Sequence, residues 1–313
     1  MRALVTGCAG FIGSHLVEKL LEMGYKVVGI DCFTDYYPKW IKEKNLENII
    51  GHENFKFVEA DILSLDLDLI IKDGMYVFHE AAQPGVRKSW GRDFKIYVDN
   101  NILATQRLLE ACKDKKIKKF VFASSSSVYG NVKKLPMKEE EYPKPLSPYG
   151  ASKLVCESLC HIYWMNYHVP AVSLRYFTVY GERQRPDMAF HRFIKAIMND
   201  DKIVIYGDGK QTRDFTYVED IVDATILAAE SETKGEVFNI GGGSRVTLKE
   251  ALKTIQEVLG KDARVVYEES QKGDMKHTYA DISKAKKLLG YRPKTKLKEG
   301  LEREVEWIRE LTR

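Results

Sequence analysis

Tyr149 and Lys153 stand four residues apart in the run Tyr149-Gly150-Ala151-Ser152-Lys153. On a helix that spacing places a phenol and an ammonium on one face. A phenol ordinarily titrates at about 10 and is a poor base at neutral pH. A lysine cation beside it favours the phenolate and makes Tyr149 usable as a proton acceptor and donor. Ser125 closes a strand-like run and is placed to share the proton of a substrate hydroxyl. Taken alone the pattern is common by chance and describes an exposed helix pair. It gains weight from a second constellation.

That constellation is Thr6-Gly7-Cys8-Ala9-Gly10-Phe11-Ile12-Gly13, which joins a strand to a helix. Gly7, Gly10 and Gly13 permit a tight turn, and the backbone there, Phe11 and Ile12 included, can approach a pyrophosphate at the helix N-terminus. Asp31 stands at the end of the next strand. A carboxylate in that place accepts from a ribose 2′-hydroxyl and repels a 2′-phosphate, so NAD is expected rather than NADP. The oxidised nicotinamide would add a second positive charge near Tyr149. The competing reading is a flavodoxin-like sheet whose glycines only make turns.

These groups must be held by a regular scaffold. Short β-branched runs alternate with helical periods through the first half. Strands are expected over Arg2–Thr6, 27–30, Phe55–Glu59, 76–79, 120–123 and Ala171–Tyr176. Helical spacing follows through Leu16, Val17, Leu20 and Leu21 up to Gly24, again over 102–111, and from near Tyr149 onward. The expected fold is α/β, a doubly wound parallel sheet (Rossmann) with its ligand crevice at the strands' carboxyl ends. Past Tyr176 the alternation decays into Arg-, Pro-, Asp- and Gly-rich stretches around helices at Ala189–Met198 and Leu248–Leu259. We therefore divide the chain into a cofactor domain, 1–176, and a smaller α/β substrate domain, 177–313. Residues 215–242, with the strand-like Val237-Phe238-Asn239-Ile240, are expected to rejoin the first sheet.

The 313 residues are 44% hydrophobic, enough for a substantial core. Basic and acidic residues, 49 against 45, balance to +4, which argues against a nucleic-acid partner. The densest basic run, 113–119, reads as a solvated turn. No apolar run approaches the roughly 18 residues of a membrane span, and the N-terminus has no signal-peptide pattern. Five cysteines without a CxxC pair lead us to expect a reducing cytoplasm. Cys156 and Cys160 share a helix face beside His161, but four ligands with metal-like spacing are missing; packing thiols and no metal site are expected.

Further stretches are Gln83-Pro84-Gly85-Val86-Arg87, Ser126-Ser127-Val128-Tyr129-Gly130, Leu146-Ser147-Pro148-Tyr149-Gly150, Arg175-Tyr176-Phe177-Thr178-Val179-Tyr180-Gly181, Arg185-Pro186-Asp187-Met188-Ala189 and Arg213-Asp214-Phe215-Thr216-Tyr217-Val218. With them the chain resembles the extended short-chain dehydrogenase family of nucleotide-sugar epimerases, dehydratases and decarboxylases, nearly end to end. The likeness is greatest to UDP-glucuronate 4-epimerases. It implies Asp61 and Ile62 at the adenine, and Ala81, Ala82, Asn101 and Tyr176 along the cofactor. Arg213 is implied at the substrate diphosphate, Asp274 near the uridine ribose, and Arg87 and Arg185 in the substrate site. Two departures stand out. Glu80 replaces the leucine usual at that strand end, and Gln271 stands where many relatives carry a second diphosphate arginine, leaving Lys272 or Arg185 to compensate.

Dehydratases and decarboxylases of this family resemble TDE, or carry a glutamate, where this chain has Ser125-Ser126-Ser127. Without that carboxylate the implied reaction is epimerisation of a UDP-sugar at C4. Thr178 fits the UDP-glucuronate enzymes, where UDP-glucose epimerases usually carry asparagine; UDP-glucose remains the rival substrate. Ser126, Ser127 and Thr178 offer hydroxyls to a C5 carboxylate, or else simply cap strands and satisfy backbone. The resemblance also implies a homodimer packed through the 102–111 helix and the helix bearing Lys153.

Overall fold

The computed structural model describes residues 1–269 and 271–312. The first half runs β1 (Arg2–Thr6), α1 (Phe11–Glu22), β2 (Lys26–Asp31), α2 (Lys39–Leu46), β3 (Phe55–Glu59), β4 (Met75–His79), α3 (Ala104–Cys112), β5 (Lys119–Ser125), α4 (Pro148–Tyr167) and β6 (Ala171–Tyr176). The second runs β7 (Thr178–Tyr180), α5 (Ala189–Met198), β8 (Lys202–Tyr206), β9 (Thr212–Arg213), β10 (Phe215–Tyr217) and α6 (Val218–Glu230). It ends with β11 (Glu236–Ile240), β12 (Val246–Thr247), α7 (Leu248–Leu259), β13 (Arg264–Glu268), α8 (Ser283–Leu289) and α9 (Leu297–Leu311).

Seven strands form one parallel sheet in the order β11-β6-β5-β4-β1-β2-β3. Strand order reverses between β1 and β4, which opens the crevice at their carboxyl ends. Side-chain alternation splits the core into two layers. Ala3, Val5, Val27, Phe78 and Val121 face the layer shared with α1 and α6. Leu4, Ile30, Val77, Phe120 and Phe122 face α3 and α4. Cys112, Cys156 and Cys160 pack in that second layer, where burial pushes each thiol's pKa up.

Three features differ from the sequence expectation. Lys119 is not part of a solvated turn: it opens β5, and its buried Nζ donates to the carbonyls of Ser231 and Thr233, each at 2.6 Å. The helix expected over 102–111 begins earlier, as a wide π-helical turn over Val98–Leu103 that leads into α3. Residues 215–217 do not join the main sheet but pair with β7, and only Glu236–Ile240 returns to it, beside β6. Beyond β6, β8 pairs with β13 and β9 with β12, while α5, α7 and α9 pack against one another. Among the described residues no helix is long and apolar enough to cross a membrane.

Candidate active site

The β1–α1 turn is built by its glycines. Gly7 takes φ +71°, and a Cβ on Gly13 would stand 2.1 Å from the Gly7 carbonyl oxygen, so only glycine lets the helix start this close to the strand. No side chain caps α1 at Gly10, which leaves the first-turn amides open to an anion. Gly7, Gly10, Phe11, Ile12 and Gly13 line one cavity together with Asp31, Asp61, Ile62, Ala81, Ala82, Tyr149, Lys153 and Tyr176. Asp31 accepts from the amides of Ala9 (3.1 Å) and Phe33 (2.8 Å), one on each carboxylate oxygen. Each oxygen keeps a lone pair for a ribose hydroxyl. Burial raises the Asp31 pKa against those amides and Lys42. An uncapped helix end and a carboxylate aimed at the same cavity fit a dinucleotide with a free 2′-hydroxyl. Asp31, Asp61 and the α1 amides would hold it.

Sequence reasoning missed part of this wall. Tyr36, Tyr37 and Lys42 also line the cavity, and Lys42 reaches in from α2 with its Nζ donating to the Thr34 carbonyl at 2.7 Å. Leu46, four residues after that lysine and so on its helix face, was the available signal. Asn101 is displaced from its expected place. Its Oδ1 accepts from Gln83 N at 2.7 Å, and its Nδ2 donates to Gln83 O and Ser152 Oγ. It braces the loop after β4 against α4, and Asn100 lines the cavity instead. The π-helical turn rotates the two asparagines relative to an α-helical reading.

Helix α4 carries both Tyr149 and Lys153. Ser147 caps it, accepting from Gly150 N at 3.1 Å, and Pro148 follows in the first turn. A Cβ at Gly150 would lie 2.4 Å from the Ser127 carbonyl, so this glycine presses the helix onto the serine loop. Buried Lys153 donates to the Ala123 carbonyl at 2.6 Å and holds its charge at the end of β5. Tyr149 packs edge-on to Tyr97 and lines both the dinucleotide cavity and a second one.

That second cavity gathers Ser125, Ser126, Ser127, Thr178, Arg87, Arg185, Arg213 and Asp274 beside Tyr149 and Tyr176. Ser125 Oγ accepts from Ser127 N at 3.1 Å and leaves its own proton free to donate. Among the described residues none hydrogen-bonds the hydroxyls of Ser126, Ser127 or Thr178, so the strand-capping reading does not apply to them. Arg87 donates to Asp274 at 2.7 Å and stacks over Tyr206, and it also perturbs Arg213. Burial lowers the Arg213 pKa, with Asp274 opposing. The second arginine near Arg213 is therefore Arg87. Lys272 does not line the cavity, and Arg185 pairs with Asp187 nearer Tyr36. Arg192 is a further lining cation that the sequence reading passed over.

Residues 3–241 match the family model for the NAD dependent epimerase/dehydratase family. The chain belongs to that family. Family membership makes it an NAD-dependent enzyme, in keeping with the cavity described above. It is 46% identical to YtcB of Bacillus subtilis (strain 168), described as an uncharacterized UDP-glucose epimerase, over 99% of both chains. It is 42% identical to a UDP-glucuronate 4-epimerase of Thermodesulfobacterium geofontis (strain OPF15), covering 98% of this chain and 96% of that one. The crystal structure of the UDP-glucuronic acid 4-epimerase from Bacillus cereus, in complex with UDP-glucuronic acid and NAD, superposes with a TM-score of 0.96 at 49% identity. That match covers 99% of this chain and 100% of the other.

Proposed function

We propose that the enzyme interconverts UDP-glucuronate and UDP-galacturonate by inversion at C4. The observation that carries this reading is the set of unengaged hydroxyls of Ser126, Ser127 and Thr178 in the substrate cavity beside Tyr149. Hydroxyl donors hold a carboxylate by charge-assisted hydrogen bonds. The carboxylates of that wall, Asp187 and Asp274, are each paired with an arginine, so no unpaired acid among the described lining residues repels an anionic sugar. Arg213 and Arg87 form the cationic end suited to a diphosphate, with Asp274 between them for a ribose hydroxyl.

When bound, NAD supplies the acceptor that takes the C4 hydride and returns it. Tyr149 Oη takes the proton of the C4 hydroxyl and Ser125 Oγ shares it. Lys153 stabilises the phenolate that accepts this proton, and the phenol so formed holds it until the hydride returns. The 4-keto sugar then presents its other face, and Tyr149 hands the proton back. The same resting geometry serves both directions.

The second reading, a UDP-glucose 4-epimerase, is favoured by the name of the Bacillus subtilis relative. Offering the two sugars separately and following anomeric protons by NMR decides between them. UDP-galacturonate should be the main product, with UDP-pentose a trace, and Thr178→Val should raise the pentose fraction. Faster conversion of UDP-glucose by the wild-type enzyme would overturn the assignment.

We further place residues 1–176, with β11 returning to the sheet, in the cofactor domain and 177–313 in the substrate domain. A homodimer would cover the exposed Leu103, at the end of the π-helical turn before α3, and Val155, Ile162 and Met165 of α4. Five unpaired thiols fit a cytoplasmic enzyme. Light scattering on the purified protein tests the dimer.

A further inference from the structure

Of the three carboxyl groups described in the lining of the dinucleotide cavity, Asp31 and Asp61 would hold the cofactor, and Glu80 is left without a task. Glu80 follows β4 directly and lines the cavity together with Tyr149, Lys153 and Tyr176. Tyr176 Oη donates to Glu80 Oε1 at 3.0 Å and shares a 2.7 Å hydrogen bond with Thr225 Oγ1 of α6. The charged and titratable groups that face Glu80 are Tyr176 from β6 and Lys153 from α4. Lys153 forms no ion pair with it; its Nζ donates instead to the Ala123 carbonyl. Burial pushes the Glu80 carboxyl up to about 7, with Tyr176 and Lys153 opposing. The cavity thus carries an acid with no dedicated cation at the end where the hydride chemistry takes place.

We propose that Glu80 sets the balance between oxidised and reduced cofactor in the closed site. Its carboxylate stabilises a cationic nicotinamide ring and gives nothing to the neutral one. In the forward step the C4 hydrogen leaves with both electrons for the ring, and the hydroxyl proton goes to Tyr149. The ring loses its positive charge, and Glu80 resists that loss. Hydride return is favoured and the keto sugar is kept scarce. If the substrate is UDP-glucuronate, as proposed above, the scarce species is a β-keto acid prone to lose carbon dioxide. Glu80 then limits pentose formation at a distance from the sugar. This consequence rests on the substrate reading; the cofactor preference does not.

The test compares the affinities of NADH and NAD for the wild-type protein, Glu80→Gln and Glu80→Leu. At about pH 8.5 the carboxyl is ionised. There Glu80→Gln, which keeps an acceptor for Tyr176, should shift the affinity ratio toward NADH by roughly tenfold. The wild-type ratio should move the same way as pH falls through about 7, and the glutamine variant should lack that dependence. An unchanged ratio in the glutamine variant overturns the proposal. So does a shift seen in Glu80→Leu alone, which would trace to packing and not to charge. With UDP-glucuronate, the glutamine variant should show more reduced-cofactor absorbance at steady state and a larger pentose fraction. Should the wild-type enzyme ignore UDP-glucuronate, the substrate reading falls while the affinity ratio still decides the role of Glu80.

Discussion

Tyr149 stands where the dinucleotide and substrate cavities meet, its ring edge-on to Tyr97 with centroids 6.3 Å apart. Phenylalanine would keep that packing and remove only the Oη. Tyr149→Phe should therefore lose at least ~100-fold in turnover, the scale of a general acid–base, with little change in sugar-nucleotide affinity by calorimetry. Near-full activity would remove Tyr149 from the mechanism. At this scale the sequence was legible wherever residue type and spacing were tied to chemistry, as in Tyr149, Lys153, Asp31 and the glycine turn. It was misleading where partner choice depends on the folded surroundings. Asn100 and Asn101 are adjacent and identical in type, and only the π-helical turn decides which faces the cavity. Arg87 lies far in sequence from Arg213, so its place beside that arginine could not be inferred from spacing around Gln271.

Helix α4 is fixed to the sheet by a buried ion pair. Arg175 of β6 donates from Nε and Nη2 to the two carboxylate oxygens of Glu157 at 2.9 and 2.8 Å, and Ser124 of β5 donates to the same carboxylate at 2.5 Å. The guanidinium also stacks on Tyr129. Removing one partner of such a pair strands a buried charge. Arg175→Met should thus cost about 3–5 kcal/mol in urea unfolding. Adding Glu157→Leu should recover much of it, and if the double variant is no more stable than the single, stranded charge is not the cause. Elements with strong internal signals were read to the residue, among them Arg2–Thr6, Phe55–Glu59, Ala171–Tyr176, Ala189–Met198 and Leu248–Leu259. The last has Thr247 and Glu250 as a reciprocal cap and Gly260 at its end. The reading passed over α6 and α9, though Leu301, Val305 and Ile308 repeat at helical spacing. It also missed the β8–β13 pair, because Ile203 and Ile205 alternate over only five residues and their partner lies some sixty residues away.

Across the whole molecule, acid stability should depend on His79, buried between β1 and α3. Thr105 gives its hydroxyl proton to the Asn101 carbonyl, so His79 Nε2 donates to Thr105 Oγ1 and Nδ1 accepts from Thr6. Burial lowers its pKa from 6.5 to about 3. The unfolded chain therefore takes up the proton first. The stability this neutral ring contributes is complete above about 6.5 and is lost as pH falls toward about 3, costing about 2 kcal/mol by pH 5. Urea midpoints should fall between pH about 7.5 and 5, and His79→Gln should flatten that slope; an equally steep slope in the variant rules His79 out. The return of β11 to the sheet has a separate consequence. Its pairing with β6, Val172 opposite Glu236 through Tyr176 opposite Ile240, covers a strand whose residues are all buried. A chain stopped at Tyr176 would present that strand's backbone donors and acceptors to any neighbouring molecule, an open template for intermolecular pairing. During synthesis the first six strands emerge well before their cover does. Every nascent copy must wait through some sixty further residues with a sticky flank, so crowding on the ribosome, and not the finished enzyme, is where this fold is most exposed to aggregation.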